Sequence, residues 1–390
     1  MPFPNGQPKP PVVVRLTGSY NLKMSTCELQ ELGMPKKPAI LSAPSFLEAL
    51  ALRSGKSGPL RVKQVHRWIL QRGILDFAAM TDLPATFRQD LIREMTPLAS
   101  KVGNCRVSTD STEKLLIRLS DGNEVESVLM READRCTVCV STQVGCGMGC
   151  VFCASGINGV ARNLTTGEIL EQLIHARSRL TADERLSHVV VMGMGEPLAN
   201  LKNLLGALEV ACHPDGMGIS ARHITISTVG LPDKIRELAD AGKKHHLAVS
   251  LHAPEDHLRT RLMPTNQKTG IRDILDAADY YFRSTGRQVT FEYILLAGLN
   301  DFPAQADVLG RLLSNRKTHV NLIPFNPVPG LEFRRPLPEA VGLFREILES
   351  HRVTTTVRKR KGADIAAACG QLRREALVNQ DIGLSLPDHC

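Results

Sequence analysis

Three cysteines, Cys146, Cys150 and Cys153, stand four and three residues apart in a glycine-bearing segment. Cysteines at this spacing can bring three thiolates together from one loop, because glycine allows tight turns and close backbone approach. Three thiolates can hold a [4Fe–4S] cluster and leave one iron open to a ligand that the protein does not supply. The spacing therefore predicts an iron–sulfur cluster with an open coordination position.

A structural zinc site is the alternative for the same region. Zinc is usually bound by paired Cys-x2-Cys units, and Cys136 and Cys139 form one such unit a few residues upstream. Two features favour the cluster. Phe152 directly precedes the last cysteine, which resembles the cluster motif of radical S-adenosylmethionine (SAM) enzymes, and residues 193–197 form a Gly-Met-Gly-Glu-Pro turn after a predicted strand. In radical SAM enzymes the open iron binds the amino and carboxylate groups of SAM.

The other cysteines and the composition indicate the compartment. Of the 10 cysteines, five lie between residues 136 and 153, which is unlike the even, dense distribution of a secreted disulfide scaffold. Such clustering favours metal binding or thiol chemistry in a reducing compartment. The first residues lack the apolar core of a secretory signal, and no apolar run is long enough to cross a bilayer. We therefore expect a soluble, cytoplasmic protein.

Positive charge is concentrated near the end of the chain. The formal net charge is +8, and residues 311–375 contain 13 Lys and Arg against 6 Asp and Glu. The densest part is the Arg-Lys-Arg-Lys run at 358–361. Clustered cations favour a polyanion such as nucleic acid, although such a run can also be plain solvated surface.

The pattern of apolar residues divides the chain into four parts. Residues 1–37 form a leader that we expect to be flexible, and 376–390 form a tail. Apolar residues at helical spacing predict a small helical accessory domain at 38–100. The core at 101–375 opens with a hairpin around Asp121-Gly122, and strands and helices then alternate.

This alternation predicts parallel βαβ units in an open sheet or a barrel, with the chemistry at the carboxyl ends of the strands. The predicted helices include 166–179, 232–241, 271–284, 303–314 and 338–350. The predicted strands lie at 137–142, 188–192, 223–228, 245–250, 289–295, 318–323 and 352–358.

Six motifs in order resemble one family, the RlmN family of radical SAM adenine methyltransferases, over about residues 110–375. The resemblance implies an α/β fold, a partial (β/α)6 TIM-like barrel with a helical N-terminal accessory domain that binds RNA. The motifs are Cys139-Val140-Ser141-Thr142-Gln143-Val144-Gly145-Cys146, Gly193-Met194-Gly195-Glu196-Pro197, Ile226-Ser227-Thr228, Ser250-Leu251-His252, Pro324-Phe325-Asn326-Pro327 and Ala368-Cys369-Gly370-Gln371-Leu372.

The resemblance also assigns roles, residue by residue. Cys369 accepts a methyl group from a first SAM, and a radical made from a second SAM activates that group to attack the adenine. Glu126 matches the proton acceptor, and Cys139 resolves the protein–RNA adduct through a transient disulfide with Cys369. Cys146, Cys150 and Cys153 bind the cluster. The residues implied along SAM are Gly195, Glu196, Ser227, Ser250, Leu251, His252 and Asn326.

The implied reaction is methylation of carbon 2 of an adenosine in 23S rRNA and in tRNA, using two SAM per turnover. The implied partners are these RNAs and a reducing electron donor such as flavodoxin, with the enzyme a monomer and not bound to a membrane. Two alternatives stay open: carbon-8 methylation, as in the sister family Cfr, and a zinc-bound RNA-binding protein without catalysis.

Without the resemblance, four of these residues have ordinary interpretations. The ordinary interpretation of Cys369 is a buried structural cysteine, and that of Cys139 is a residue in the interior of a strand. Glu126 would be an exposed carboxylate on a strand, and His252 would be a histidine in the core. We expect the run at 358–361 to guide phosphates toward the site. Because aromatic residues make up only 4% of the chain, we expect phosphate contacts and RNA shape to matter more than stacking.

Overall fold

The computed structural model of the protein describes residues 37–42, 44–53 and 57–372. Contacts divide the chain into two units, Met1–Lys37 and Pro38–Cys390. The tail at 376–390 and all of the leader before Lys37 lie outside the described residues.

Short helices open this second unit, as the helical spacing between 40 and 98 predicts. They are α1 (Pro44–Leu52), α2 (Gly58–His66, extended by a π-helical turn at Arg67–Gln71) and α3 (Ala85–Glu94). Their apolar positions are buried in the same hydrophobic cluster as the sheet, so these helices share its core. The buried positions include Leu47, Leu50, Val65, Ile69, Phe87 and Leu91.

Four antiparallel-paired strands follow. The predicted hairpin is present, with Gly122 in the turn at φ +87°. The first strand is not predicted from the sequence, because it is an edge strand with almost no buried residue and hence no apolar alternation. The strands are β1 (Lys101–Val107), β2 (Glu113–Arg118), β3 (Glu124–Glu132) and β4 (Arg135–Cys139).

The remaining strands build the parallel part and a small separate hairpin. They are β5 (Gln143–Gly145), β6 (Val160–Asn163), β7 (Leu186–Val191), β8 (Ile224–Thr228), β9 (His246–Ser250), β10 (Val289–Leu295), β11 (Thr318–Pro324) and β12 (Thr354–Val357). One ten-stranded sheet has the order β1-β2-β3-β4-β7-β8-β9-β10-β11-β12, parallel from β4 onward. The predicted α/β class is confirmed, and the short β12 adds a seventh parallel strand.

Helices connect the parallel strands. The first of them begins with the predicted capping box, in which Thr165 Oγ1 accepts the Glu168 N–H and the Glu168 carboxylate accepts the Thr165 N–H. Gly242 follows the third, with φ +67°. The helices are α4 (Thr166–Arg177), α5 (Leu201–Cys212), α6 (Pro232–Asp240), α7 (Asp256–Leu262), α8 (Ile271–Thr285), α9 (Pro303–Leu313) and α10 (Pro338–Ser350).

Alternation along the strands separates the core from an open inner face. On β7, Val189 and Val191 are fully buried in the main hydrophobic cluster, whereas His188 and Val190 are half-buried and line a cleft. Because successive side chains point to opposite faces, the sheet buries one face and keeps the other for the site. Within the part of the chain that the structure describes, no helix is both long enough and apolar enough to cross a membrane.

Candidate active site

The three cysteines lie on the loop of the β5–β6 hairpin. Cys146 begins this loop, and its N–H donates to the Gly159 carbonyl at 2.9 Å. Gly145, the last residue of β5, has φ +79°, and a Cβ there would lie 2.1 Å from the same carbonyl oxygen. Only glycine fits this position, so the hairpin that presents the loop depends on it.

Hydrogen bonds tie the cysteine loop to distant parts of the chain. The Val151 N–H donates to the Leu262 carbonyl of α7 at 3.0 Å, and the Ala154 N–H donates to the Gly370 carbonyl at 2.8 Å. The Ser155 hydroxyl donates to the Leu372 carbonyl at 2.6 Å, across a sequence separation of 217. The loop is therefore fixed directly to the segment that contains Cys369.

Burial determines the protonation of the three thiols. The pKa of Cys146 is raised to about 11, and the pKa values of Cys150 and Cys153 are also raised, in each case chiefly by burial. At pH 7 the thiols are protonated, and iron must displace those protons to bind.

The cysteine set fits a cluster. All three cysteines line one cleft, and the described residues contain no group of three or more His, Cys, Asp or Glu arranged for a single metal ion. A cluster binds each thiolate to a different iron, so its ligands need not converge on one point. Of the two cysteines that could supply a further zinc ligand, Cys136 lies with its Sγ 3.8 Å from Glu184 Oε1, and Cys139 lies near Cys369.

The cleft lies where the parallel strands end, as expected for a barrel of this class. The cysteine loop forms part of its wall. Five of the residues predicted along SAM line it: Gly195, Glu196, Ser227, Ser250 and His252.

The carboxylate of Glu196, which follows β7, forms hydrogen bonds with residues at the end of β8. It is 3% exposed, and burial raises its pKa. Its Oε1 accepts the Thr228 hydroxyl at 2.7 Å and the Leu198 N–H at 3.0 Å, while Oε2 accepts the Val229 N–H at 2.8 Å. A carboxylate has about four acceptor positions, so one remains for a ligand in the cleft.

His252 is held in an uncommon backbone conformation, with φ +61°. Its Nδ1 accepts the Ile294 N–H at 3.0 Å, and its ring meets Phe152 edge-on, with the centroids 4.9 Å apart. Burial, assisted by the nearby Arg259 cation, lowers the pKa of His252 to about 3. The ring is therefore neutral and oriented at the edge of the cleft.

Two predicted SAM-binding residues lie outside this cleft. The Leu251 side chain is fully buried in the main hydrophobic cluster, so any contact with a ligand there would come from its backbone. Asn326 lines a second, larger cleft, and its Nδ2 donates to the Cys369 carbonyl at 3.4 Å. Arg335 holds Asn326 in turn, through a hydrogen bond to Oδ1 at 3.3 Å.

Cys139, Cys369 and Arg358 come together from three separate segments. Cys139 is 7% exposed, and its pKa is raised to about 12 by burial and further by Cys369. The pKa of Arg358 is raised, mainly by Cys369, with contributions from Glu292 and Cys139. Both thiols are free in this structure. Cys369 is half-buried and lines both clefts, so the interpretation as a merely buried structural cysteine is not supported.

Glu126 is not the exposed strand carboxylate that the strand pattern indicates. It is 1% exposed and forms an ion pair with Lys114, which is also buried. The interpretation as an exposed residue is wrong because Glu126 pairs with Lys114 of the adjacent strand β2, and the segment before Cys369, which is distant in sequence, contacts that lysine.

The second cleft is strongly basic. Its described lining contains seven Lys or Arg and one carboxylate, Glu132. It meets the first cleft at Ile323, Arg358 and Cys369, which line both. The seven cations are Arg135, Arg222, Arg335, Arg358, Lys359, Arg360 and Lys361.

Sequence reasoning missed the positions of three polar residues near the site. The sequence places Arg358 only within the basic run, but it is half-buried and its Nη1 lies 3.4 Å from Met192 Sδ. Glu292 lines the first cleft and accepts a hydrogen bond from Asn321 at 2.9 Å. Lys114 is not part of any sequence motif. Of the three residues, only Glu292 could have been noticed in the sequence, because it is a carboxylate within a mostly apolar strand.

Comparisons with known proteins agree with this site. The family model described as the radical SAM superfamily matches residues 140–307, and the one described as the ribosomal RNA large subunit methyltransferase N-terminal domain matches residues 47–96. A solved structure of a radical SAM methyltransferase from Sphaerobacter thermophilus is 42% identical, with a TM-score of 0.82 over 87% of this chain and 100% of that chain.

Curated relatives with high sequence identity indicate one family within the radical SAM superfamily. A probable dual-specificity RNA methyltransferase RlmN from Rhodopirellula baltica is 51% identical over 362 residues, 93% of this chain and 98% of the relative. A protein of the same name from Symbiobacterium thermophilum is 50% identical over 318 residues, 81% of this chain and 86% of the relative.

The fold and the cysteine loop define a radical SAM enzyme. Within that class, the chain belongs to the RlmN family of RNA methyltransferases.

Proposed function

We propose that the protein methylates carbon 2 of an adenosine in 23S rRNA and in tRNA. The observation that carries this proposal is the position of Cys369, which lines both the cleft with the cysteine loop and the basic cleft. A group carried on its sulfur can therefore meet a cofactor on one side and a polyanionic substrate on the other.

The cofactors would bind where the resemblance implies. Cys146, Cys150 and Cys153 would hold the cluster, and two SAM molecules would be used in each turnover. When bound, these groups supply the methyl carbon and the one-electron chemistry that an adenine ring carbon, a poor nucleophile, requires. The residues proposed along SAM are Gly195, Glu196, Ser227, Ser250, Leu251, His252 and Asn326.

The protein's own residues would then act in order. Cys369 holds the methyl carbon as a thioether, and that carbon, after it has lost one hydrogen atom in the one-electron chemistry, becomes bonded to carbon 2 of the base. Glu126 accepts the proton that carbon 2 loses, and the adduct also gives up one electron, which the one-electron chemistry of the cofactors would accept. The thiolate of Cys139 attacks the sulfur of Cys369, which forms a disulfide and breaks the carbon–sulfur bond. The released carbon keeps the electron pair of that bond and takes up a proton to become the methyl group of the free base. An external thiol reductant must then reduce the disulfide.

Arg358 fits this last step. Cys139 is protonated at neutral pH because burial raises its pKa to about 12. A guanidinium near Cys139 favours the thiolate form of the attacking sulfur. Arg358 is the nearby cation that lowers the pKa of Cys139 against this burial.

The rest of the proposal concerns organisation and partners. Residues 38–100 would form an accessory domain that binds RNA, next to the catalytic part at 101–375. The enzyme would act as a monomer in the cytoplasm and take electrons from a donor such as flavodoxin. The seven cations of the basic cleft support an RNA substrate, because neutralised phosphates release counterions.

The test is the nucleoside that the enzyme makes. Anaerobically reconstituted protein is incubated with SAM, a reductant and ribosomal RNA that lacks the modification, and the digested RNA is analysed by mass spectrometry against both standards. We expect 2-methyladenosine. If 8-methyladenosine forms, the carbon-8 alternative is correct, and if no methylated adenosine forms although Cys369 becomes methylated, the RNA substrate is wrong.

A further inference from the structure

The basic cleft extends from Cys369 to the amino-terminal ends of the parallel strands, where it carries two stacked imidazoles. His188, on β7, and His223, just before β8, have ring centroids 4.3 Å apart and planes inclined by 21°. Both rings line the cleft. Neither takes part in the proposed reaction.

The pair forms a fixed, flat surface. Ser187 Oγ lies 2.9 Å from His188 Nδ1, which fixes the plane of that ring. The pKa of His188 is lowered, mainly by burial and also by His223, so this ring is uncharged at neutral pH. His223 is exposed. Because His223 is exposed although His188 stacks on its ring, part of this ring is available to a planar ligand.

Positively charged side chains line the same cleft as this surface. Arg222 is exposed and adjacent to His223 in the chain, and Arg135 lines the same cleft. Proteins that bind single-stranded nucleic acid combine a positively charged groove with flat side chains on which bases stack. Here the groove is present, and its described lining holds one carboxylate, Glu132, which is already paired with Arg135.

We propose that the His188–His223 stack is the platform for a base of the substrate RNA next to the target adenosine, with Arg222 contacting the phosphate. The proposal rests on the proposed function, since it places the flanking nucleotide while the target base lies near Cys369. It also revises the expectation that phosphate contacts and RNA shape matter more than stacking. That expectation counted Phe, Trp and Tyr, whereas the flat rings in this cleft are imidazoles.

The test uses reconstituted holoenzyme and an unmodified RNA hairpin that carries 2-aminopurine, whose fluorescence is quenched by stacking, beside the target adenosine. His223→Ala should weaken binding roughly 5- to 150-fold, the range for loss of one stacked base, and should abolish the quenching. His223→Phe should retain both, because it keeps a ring without the imidazole nitrogens. His257→Ala is the matched control, since His257 is 72% exposed and lines neither cleft.

Two results would overturn the platform. One is unchanged affinity and quenching in both His188→Ala and His223→Ala. The other is full rescue by His223→Lys with no rescue by His223→Phe, which would make the position a phosphate contact. Methylation of Cys369, which requires no RNA, should be normal in every variant and shows that each one is folded and loaded. A wild-type enzyme that methylates Cys369 but binds no RNA would instead refute the proposed function.

Discussion

The ammonium of Lys114 lies 2.6 Å from a carboxylate oxygen of Glu126, with the two side chains only 6% and 1% exposed. The same ammonium donates to the Ala366 carbonyl at 3.4 Å. Because Ala366 is three residues before Cys369, the pair connects the proposed proton acceptor to the segment that carries the methyl-accepting sulfur. A carboxylate buried this deeply needs a countercharge, and Lys114 supplies one.

Replacement of Lys114 by Met should therefore impair RNA methylation at pH 7 by about 10²- to 10⁴-fold, the usual contribution of a general base. Without the ammonium, the buried Glu126 carboxylate has no countercharge to stabilise it. The measurement is the rate of RNA methylation at pH 7, with methylation of Cys369 as the internal control. Glu126→Gln should be inactive. A normal rate of RNA methylation in Lys114→Met would contradict the role.

Variants of Cys369 and Cys139 should block the reaction at different stages. Cys369→Ala should stop methylation of both protein and RNA, because it removes the methyl carrier. Cys139→Ala should still be methylated and still attack RNA, but should stall as a covalent complex, since no second thiolate can displace the base. Denaturing electrophoresis with and without nuclease detects that complex. Free methylated RNA at a normal rate from Cys139→Ala would show that the two-cysteine route does not operate.

The residues of the basic run at 358–361 should have two different functions. Lys359 and Arg360 are exposed, whereas Arg358 is half-buried beside Cys369. Replacing Lys359, Arg360 and Lys361 with Ala should reduce the log–log salt slope of RNA binding by roughly 0.7–0.9 for each phosphate that is no longer neutralised. Arg358→Gln should instead leave that slope near the wild-type value and slow release of the covalent adduct. If both variants change the slope equally, Arg358 is an ordinary phosphate-binding cation.

Protonation of His252 should destabilise the protein in acid. Its pKa is lowered from 6.5 to about 3 in the folded state, so below pH 6.5 the unfolded chain takes up the proton first. Stability that is fully present above pH 6.5 is therefore lost as the pH falls toward 3, by about 2 kcal/mol between pH 6.5 and 5.

Urea unfolding at pH 7, 6 and 5 measures this loss. The control is His252→Asn, because Asn tolerates positive φ and its side-chain oxygen can accept the Ile294 N–H without titrating. The variant should show a shallower dependence of the unfolding free energy on pH. Equal dependence in both proteins would mean that His252 is not the titrating group.

The sequence by itself determined the local features. Cys146, Cys150 and Cys153 lie within one loop, so their spacing could be interpreted without knowledge of any distant contact. The strand–helix alternation and the capping box at Thr165 could be predicted for the same reason, since each depends on neighbours within a few residues. The edge strand β1 could not be predicted, because the sheet pairing that forms it leaves no apolar pattern in its residues.

Only the tertiary structure decided how distant residues meet. Cys139 ends β4 and Cys369 lies near the end of the described chain, and their proximity depends on the parallel strand order. The local patterns around Glu126 and Arg358 both indicate surface residues. Glu126 is instead buried with Lys114, whose ammonium also contacts the Ala366 carbonyl, and Arg358 is half-buried near Cys139 and Cys369. Both environments depend on residues that are distant in sequence, so no short stretch of sequence indicates them.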